Sequence, residues 1–202
     1  MIRFEDADPE THFNPNHRIL FSQDPDFLAI GMVLADSVYQ GEWLNGLRHG
    51  QGTLHKLDQI EIGYKGEFQL GKRHGYGIWT MMNGSIHTGE WSDGKRHGAG
   101  RQESPDGSFV EAVWDKDCIT GYGIKNSVSF GLYIGHFEKG RAHGYGILTY
   151  RNGQKYTGQW RGGRWNGFGT LEMADGRTIC EGIFDDGAPT DKVIQTEAPE
   201  RR

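Results

Sequence analysis

Tyr39-Gln40-Gly41-Glu42-Trp43-Leu44-Asn45-Gly46-Leu47-Arg48-His49-Gly50-Gln51-Gly52-Thr53-Leu54 decides how the chain folds, because its grammar returns along most of the length. The pattern Tyr-x-Gly-x-Trp-x-x-Gly-x-x-His-Gly-x-Gly-x-Leu begins again at Tyr64, His87, Val110, Tyr133 and Tyr156, then, truncated, at Cys180. The steps are 25, 23, 23, 23, 23 and 24 residues. A fixed short period marks an array in which each repeat covers its neighbour, so function belongs on extended faces before pockets.

Within Tyr156-Thr157-Gly158-Gln159-Trp160 the two rings and Gly158 occupy alternate positions and share one face of a strand. Arg161 to Gly167 is polar and glycine-rich and turns, after which Phe168-Gly169-Thr170-Leu171 resumes a strand. Each repeat is therefore predicted to be a β-hairpin. Asn83-Gly84, Asp106-Gly107, Asn152-Gly153 and Asp175-Gly176 reverse the chain into the next repeat. The expected fold is all-β: about six to seven consecutive antiparallel hairpins forming an elongated, twisted single-layer sheet with an aromatic trough.

The predicted organisation is an N-terminal cap and leading half-repeat over 1–38 and an array over 39–187, followed by a disordered tail over 188–202. The array divides into 39–63, 64–86, 87–109, 110–132, 133–155, 156–179 and a half-repeat, 180–187. Gly31-Met32-Val33-Leu34 reads as the second strand of a missing repeat, pairing with the strand at Tyr39, and the residues before it as a cap. The tail carries Pro189 and Pro199 and little apolar content. The repeat at Val110 is degenerate: Val110 replaces Tyr, Ala112 and Asp117 replace glycines, and Thr120 replaces His.

Composition narrows the function. Thirty-two glycines at fixed places in the repeat are punctuation, and 6 Trp, 8 Tyr and 10 Phe point to burial by stacked rings. A net charge of −5 gives no general reason to bind nucleic acid. Two cysteines cannot form a secreted disulfide framework, no leader is expected at the start, and no apolar run approaches a bilayer span, which together favour a cytoplasmic setting.

Tyr39-Gly41-Trp43-Gly46-His49-Gly50-Gly52 and Tyr133-Gly135-Phe137-Gly140-His143-Gly144-Gly146 resemble the MORN (membrane occupation and recognition nexus) repeat family. The resemblance implies a hairpin array serving as a scaffold or protein-binding surface in cytoskeletal, ciliary or membrane-apposed structures. It also carries an older association with lipid binding.

Other motifs resolve into the repeat. Gly66 to Lys72 and Gly89 to Lys95 have phosphate-loop spacing, but Arg73 and Arg96 stand where Ser or Thr is required. His49, His74, His97 and His143 recur in parallel rather than converging, so they read as turn-stabilising residues and no metal or other cofactor is expected. No nucleophile, base and orienting group form a unit, so no enzyme is expected.

Two candidate surfaces remain. Tyr39, Trp43, Tyr64, Phe68, Trp91, Trp114, Tyr133, Phe137, Tyr156 and Trp160 would be half-exposed packing rings that double as a contact surface for a partner peptide or helix. Arg48, Lys72, Arg73, Lys95, Arg96, Arg141 and Arg164 at the hairpin tips would form a basic ridge, either a solvated edge or a site for phosphoinositide or anionic membrane. A third reading is a regulatory subunit of an enzyme complex. An unpaired edge at Cys180 to Gly187 further predicts a homodimer through the C-terminal end, covering Phe184 and Trp160.

Overall fold

The computed structural model describes residues 17–20, 31–34, 37–57 and 59–195. It divides into two compact units, Met1–Gly94 and Lys95–Arg202. Each is an antiparallel meander, and no helix occurs among the described residues.

The first unit contains β1 (His17–Leu20), β2 (Gly31–Leu34), β3 (Ser37–Leu44), β4 (Leu47–Lys56), β5 (Gln59–Gln69), β6 (Lys72–Thr80) and β7 (Ile86–Ser92). Each strand pairs with the next. The leading half-repeat lies as expected, with Met32 opposite Tyr39 and Val33 opposite Val38. The second unit contains β8 (Lys95–Glu103), β9 (Phe109–Asp115), β10 (Cys118–Ser127), β11 (Gly131–Glu138) and β12 (Arg141–Tyr150). It continues through β13 (Lys155–Arg161), β14 (Arg164–Glu172), β15 (Thr178–Asp185) and β16 (Ala188–Gln195), again paired in order.

Two kinds of turn build the meander. The tips are two-residue turns with both residues left-handed, such as Asn45-Gly46 at φ 50° and 73°, a twist that matches the strands they join. Lys116-Asp117 holds that conformation without glycine, at 48° and 73°. Asp117 is stabilised there by Arg96, whose backbone N–H and Nε donate to its carboxylate at 3.1 and 3.0 Å. The connections between repeats are wider: at Asn83-Gly84, Met81 N–H donates to the Ser85 carbonyl at 2.8 Å and Ser85 N–H to Asn83 Oδ1 at 3.0 Å.

The expected disorder over 188–202 is corrected for 188–195, which form β16; residues 196–202 lie outside the described residues. Asp186 and Gly187 make the same left-handed tip as the other repeats, at φ 48° and 90°, and so return the chain along β15. Pro189 stands opposite Phe184 at the last described strand, where its missing N–H is tolerated. The half-repeat is thus a full hairpin, and the bare edge behind the expected C-terminal dimer is covered. Of the predicted N-terminal cap, residues 1–16 and 21–30 also lie outside the described residues.

The core explains the glycines. Tyr39 lies across Gly41 and Gly52, which face each other, and a Cβ at Gly52 would stand 2.3 Å from its hydroxyl. That hydroxyl donates to the Glu42 carbonyl at 3.0 Å. Phe68 of the next repeat meets Tyr39 edge-on at 5.1 Å. Tyr64 to Trp91, Tyr133 to Trp160 and Tyr156 to Phe184 repeat that contact at 5.1 to 5.3 Å. In the degenerate repeat Val110 stands in the tyrosine's place and the Ala112 methyl fills the space, 2.5 Å from where a Cβ on Gly123 would be. The two departures compensate one another.

Candidate functional site

The rings expected to stand half-exposed as a contact surface are instead packed away. Tyr39, Tyr64, Phe68, Trp91, Trp114, Tyr133, Phe137, Tyr156 and Trp160 are buried, and of the predicted contact rings only Trp43, 37% exposed, reaches solvent appreciably. They are the core of their units. Burial raises the phenol pKa of Tyr39, Tyr64, Tyr133 and Tyr156, the last to about 12.

The basic ridge is likewise corrected, because three of its arginines turn inward as lids over the rings. Arg48 lies 5.4 Å from the Phe68 ring centre and donates to the Gly71 carbonyl at 2.7 Å. Arg73 lies 4.2 Å from Trp91 and donates to the Gly94 carbonyl at 2.9 Å. Arg96 lies 4.1 Å from Trp114 and bonds Asp117. At the surface, Lys72 pairs with Asp93 at 3.0 Å and Arg164 pairs with Asp186, while Lys95 and Arg141 are exposed. His143 faces Glu138 across its own hairpin at 3.1 Å, and His97 faces Asp115 on the first strand of the next repeat at 3.5 Å.

The exposed rings are a second set that the sequence reading passed over. Six of the hairpins carry a Gly-x-Gly, whose central residue is Gln51, Tyr76, Ala99, Tyr122, Tyr145 or Phe168, and a β-bulge marks it in the pairs β3–β4, β5–β6, β9–β10, β11–β12 and β13–β14. Gly146 lies under the Tyr133 ring, so Tyr145 beside it projects from the opposite face. Tyr122, Tyr145 and Phe168 are 63, 61 and 52% exposed. They recur every second strand, about 9.5 Å apart at standard spacing.

Their neighbours differ between the units. In the second unit His136, Gln159 and Ile183 stand opposite Tyr122, Tyr145 and Phe168, with Ile124, Ile134 and Ile147 paired in the adjoining row. In the first unit Glu67 and Glu90 stand opposite Gln51 and Tyr76. Glu42 and Glu67 accept the bulge N–H groups of Gln51 and Tyr76 at 2.9 and 3.0 Å, as Gln159 accepts that of Phe168 at 2.8 Å. The second unit therefore presents a ring-bearing strip with no carboxylate opposite its rings, Glu111 standing opposite Ile124 at one end of the adjoining row, and the first a carboxylate-studded one. Strand parity across Gly-x-Gly was the signal that separates these rings from the core, and it was readable once each tyrosine was placed over its glycine pair.

Each unit also holds an open recess on the core-ring side. In the first, a space of about 510 Å³ is lined by Tyr64, Phe68 and Trp79 with Arg48 and Arg73. In the second, a space of about 440 Å³ is lined by Tyr133, Phe137, Leu148 and Trp160, with Ala142 in the place of Arg73.

Hairpins repeating on one period, with ring cores and no helix among the described residues, define a β-hairpin repeat protein. The family model for the MORN repeat matches residues 39–56, 64–86, 87–109, 133–155 and 156–176, over half of the chain. The chain belongs to that family. The degenerate repeat, with Val110 and Ala112 in place of the tyrosine and glycine, falls between the matches. No curated protein matches the chain.

Proposed function

We propose that this chain is a non-enzymatic scaffold that holds a protein partner on the outer strip of its second unit, in a cytoskeletal, ciliary or membrane-apposed assembly. The observation that carries this reading is the row Tyr122, Tyr145 and Phe168, exposed beside Ile124, Ile134 and Ile147 without a carboxylate opposite any of the three rings. Large rigid rings on a preformed strand face give contact area at small entropic cost, which is how binding hot spots work. A peptide or helix laid across the strands would meet one ring every two strands.

A photo-cross-linking residue at position 145 tests it. It should trap a defined partner protein that the Tyr122→Ser, Phe168→Ser double variant loses while keeping its far-ultraviolet spectrum. A folded double variant giving the same adduct at full yield would remove the strip from the interface. The lipid alternative has less support, since Arg48, Arg73 and Arg96 are spent on rings and carbonyls. Recovery with anionic vesicles at moderate salt, undiminished by Lys95→Glu, Arg141→Glu, would favour a lipid role resting on other groups.

A further inference from the structure

In six of the hairpins one position, just before the His or its equivalent, lies beside the rings. Its occupants are Arg48, Arg73, Arg96, Ile119, Ala142 and Trp165. The chain thereby displays what fits there. Arginine lies over rings and donates to the carbonyl of the next tip. Trp165 stacks on Tyr156 at 4.3 Å with planes 8° apart and meets Phe184 edge-on at 5.4 Å. Ile119 packs on the rings with its branched side chain. Ala142 offers one methyl group, and beside it lies the recess of about 440 Å³.

A second departure meets the first at the same place. The position opposite the repeat tyrosine is Leu54, Trp79, Leu148 or Leu171 beside Tyr39, Tyr64, Tyr133 and Tyr156. The degenerate repeat brings Lys125 to the other side of Tyr133. Lys125 and Arg141 are both exposed and both line the recess, and none of its lining residues is acidic. Gly163 lines it as well, at the position whose carbonyl accepts an arginine N–H in the earlier repeats, Gly71 and Gly94.

We propose that this recess takes an aromatic side chain, best an indole, from an acidic peptide segment of a partner protein. The ring replaces the missing lid over Tyr133, Phe137 and Trp160, as Trp165 does from within the chain one repeat later. Its N–H can donate to the Gly163 carbonyl, as the arginine lids donate to theirs. Flanking carboxylates meet Lys125 and Arg141, which would repel flanking cations. The site is on the core-ring side, opposite to the outer strip, and does not depend on it.

Fluorescence anisotropy on the full chain tests this with three labelled synthetic peptides: a tryptophan flanked by Asp and Glu, the same tryptophan flanked by Lys and Arg, and the acidic peptide with Ala for Trp. The acidic tryptophan peptide should bind at least roughly tenfold tighter than either control. Ala142→Arg, which installs the lid used by sister repeats, should weaken it by at least roughly tenfold without lowering the melting temperature. Lys125→Glu, an exposed change, should do the same and decides alone where Ala142→Arg does not fold. Tyr122→Ser, on the opposite face, should leave this affinity unchanged, so failure here and failure of the outer strip are told apart. Equal binding of the acidic tryptophan and alanine peptides, or affinity unmoved by filling position 142, would overturn the proposal. So would a concentration-dependent doubling of mass that Ala142→Arg abolishes, because the occupant would then be a second copy of this chain.

Discussion

The two units solve the same packing problem with different side chains. Residues up to Gly94 close their rings with Arg48 and Arg73 and carry Glu42, Glu67 and Glu90 on the outer face. Residues from Lys95 on keep one arginine lid, Arg96, then use Ile119, Ala142 and Trp165, and carry Val113, His136, Gln159 and Ile183 where the glutamates were. The backbone tolerates all of these because the group packed over the glycine pair, tyrosine in four repeats and the Ala112 methyl in the degenerate one, and not the lid or the outer residue, holds the hairpin. Positions released from that constraint are free to specialise, and both candidate binding features fall in the second unit.

The largest test of that claim concerns the tyrosine itself. Tyr156→Ala removes a wholly buried ring and should cost about 3–5 kcal/mol in urea unfolding. Val110→Ala, at the equivalent position of the compensated repeat, should cost about 1–2 kcal/mol. Equal losses would show that Val110 and Ala112 are no compensation and that the degenerate repeat is packed like the rest.

Alkaline titration probes the same rings. Burial raises their phenol pKa values, Tyr156 to about 12, so the folded state disfavours the tyrosinate. That stability is fully present below the unfolded value of 10 and is lost as pH rises from there through the folded values. Arg48 and Arg73 oppose the rise at Tyr39 and Tyr64, whereas Tyr133 and Tyr156 have neighbouring tyrosines that add to it. Arg73→Ala should therefore move the Tyr64 transition further up in absorbance at 295 nm and leave that of Tyr156 in place.

Lids should matter less than rings. Arg73→Ala loses a carbonyl hydrogen bond and its contact with Trp91, about 1–2 kcal/mol by chemical denaturation. Ala142→Arg should be neutral or stabilising; a loss as large as that of Arg73→Ala would mean that the two positions are not equivalent. The smallest difference lies on the outer face. Glu67→Ala leaves the Tyr76 N–H without its carboxylate and should cost up to about 1 kcal/mol, while His136→Ala should change stability by less than about 0.5 kcal/mol.

Much of this was legible before any coordinates. The period located the hairpins, the Asn-Gly and Asp-Gly pairs located the connections, and Gly31 to Leu34 announced a strand beside Tyr39. Where the reading failed, the missing information was three-dimensional. The ten rings passed for a half-exposed trough because alternation places them on one face without saying what covers it. Their cover comes from the next repeat's ring and from an arginine that local pattern assigns to a solvated tip. Ala188 to Gln195 passed for a tail because proline and charge weigh against a strand, whereas the edge of β15 and the left-handed Asp186-Gly187 tip draw it into one.

The sequence by itself determined the repeat, the hairpin and the family, since all three rest on local spacing of glycine, tyrosine and turn residues. Only the tertiary structure decided which rings are core and which are surface, and which cations are lids and which face water. A side chain's exposure depends on residues about 23 positions away in the next repeat, as Arg48 reaching the Gly71 carbonyl shows, and no single period of the sequence contains both partners.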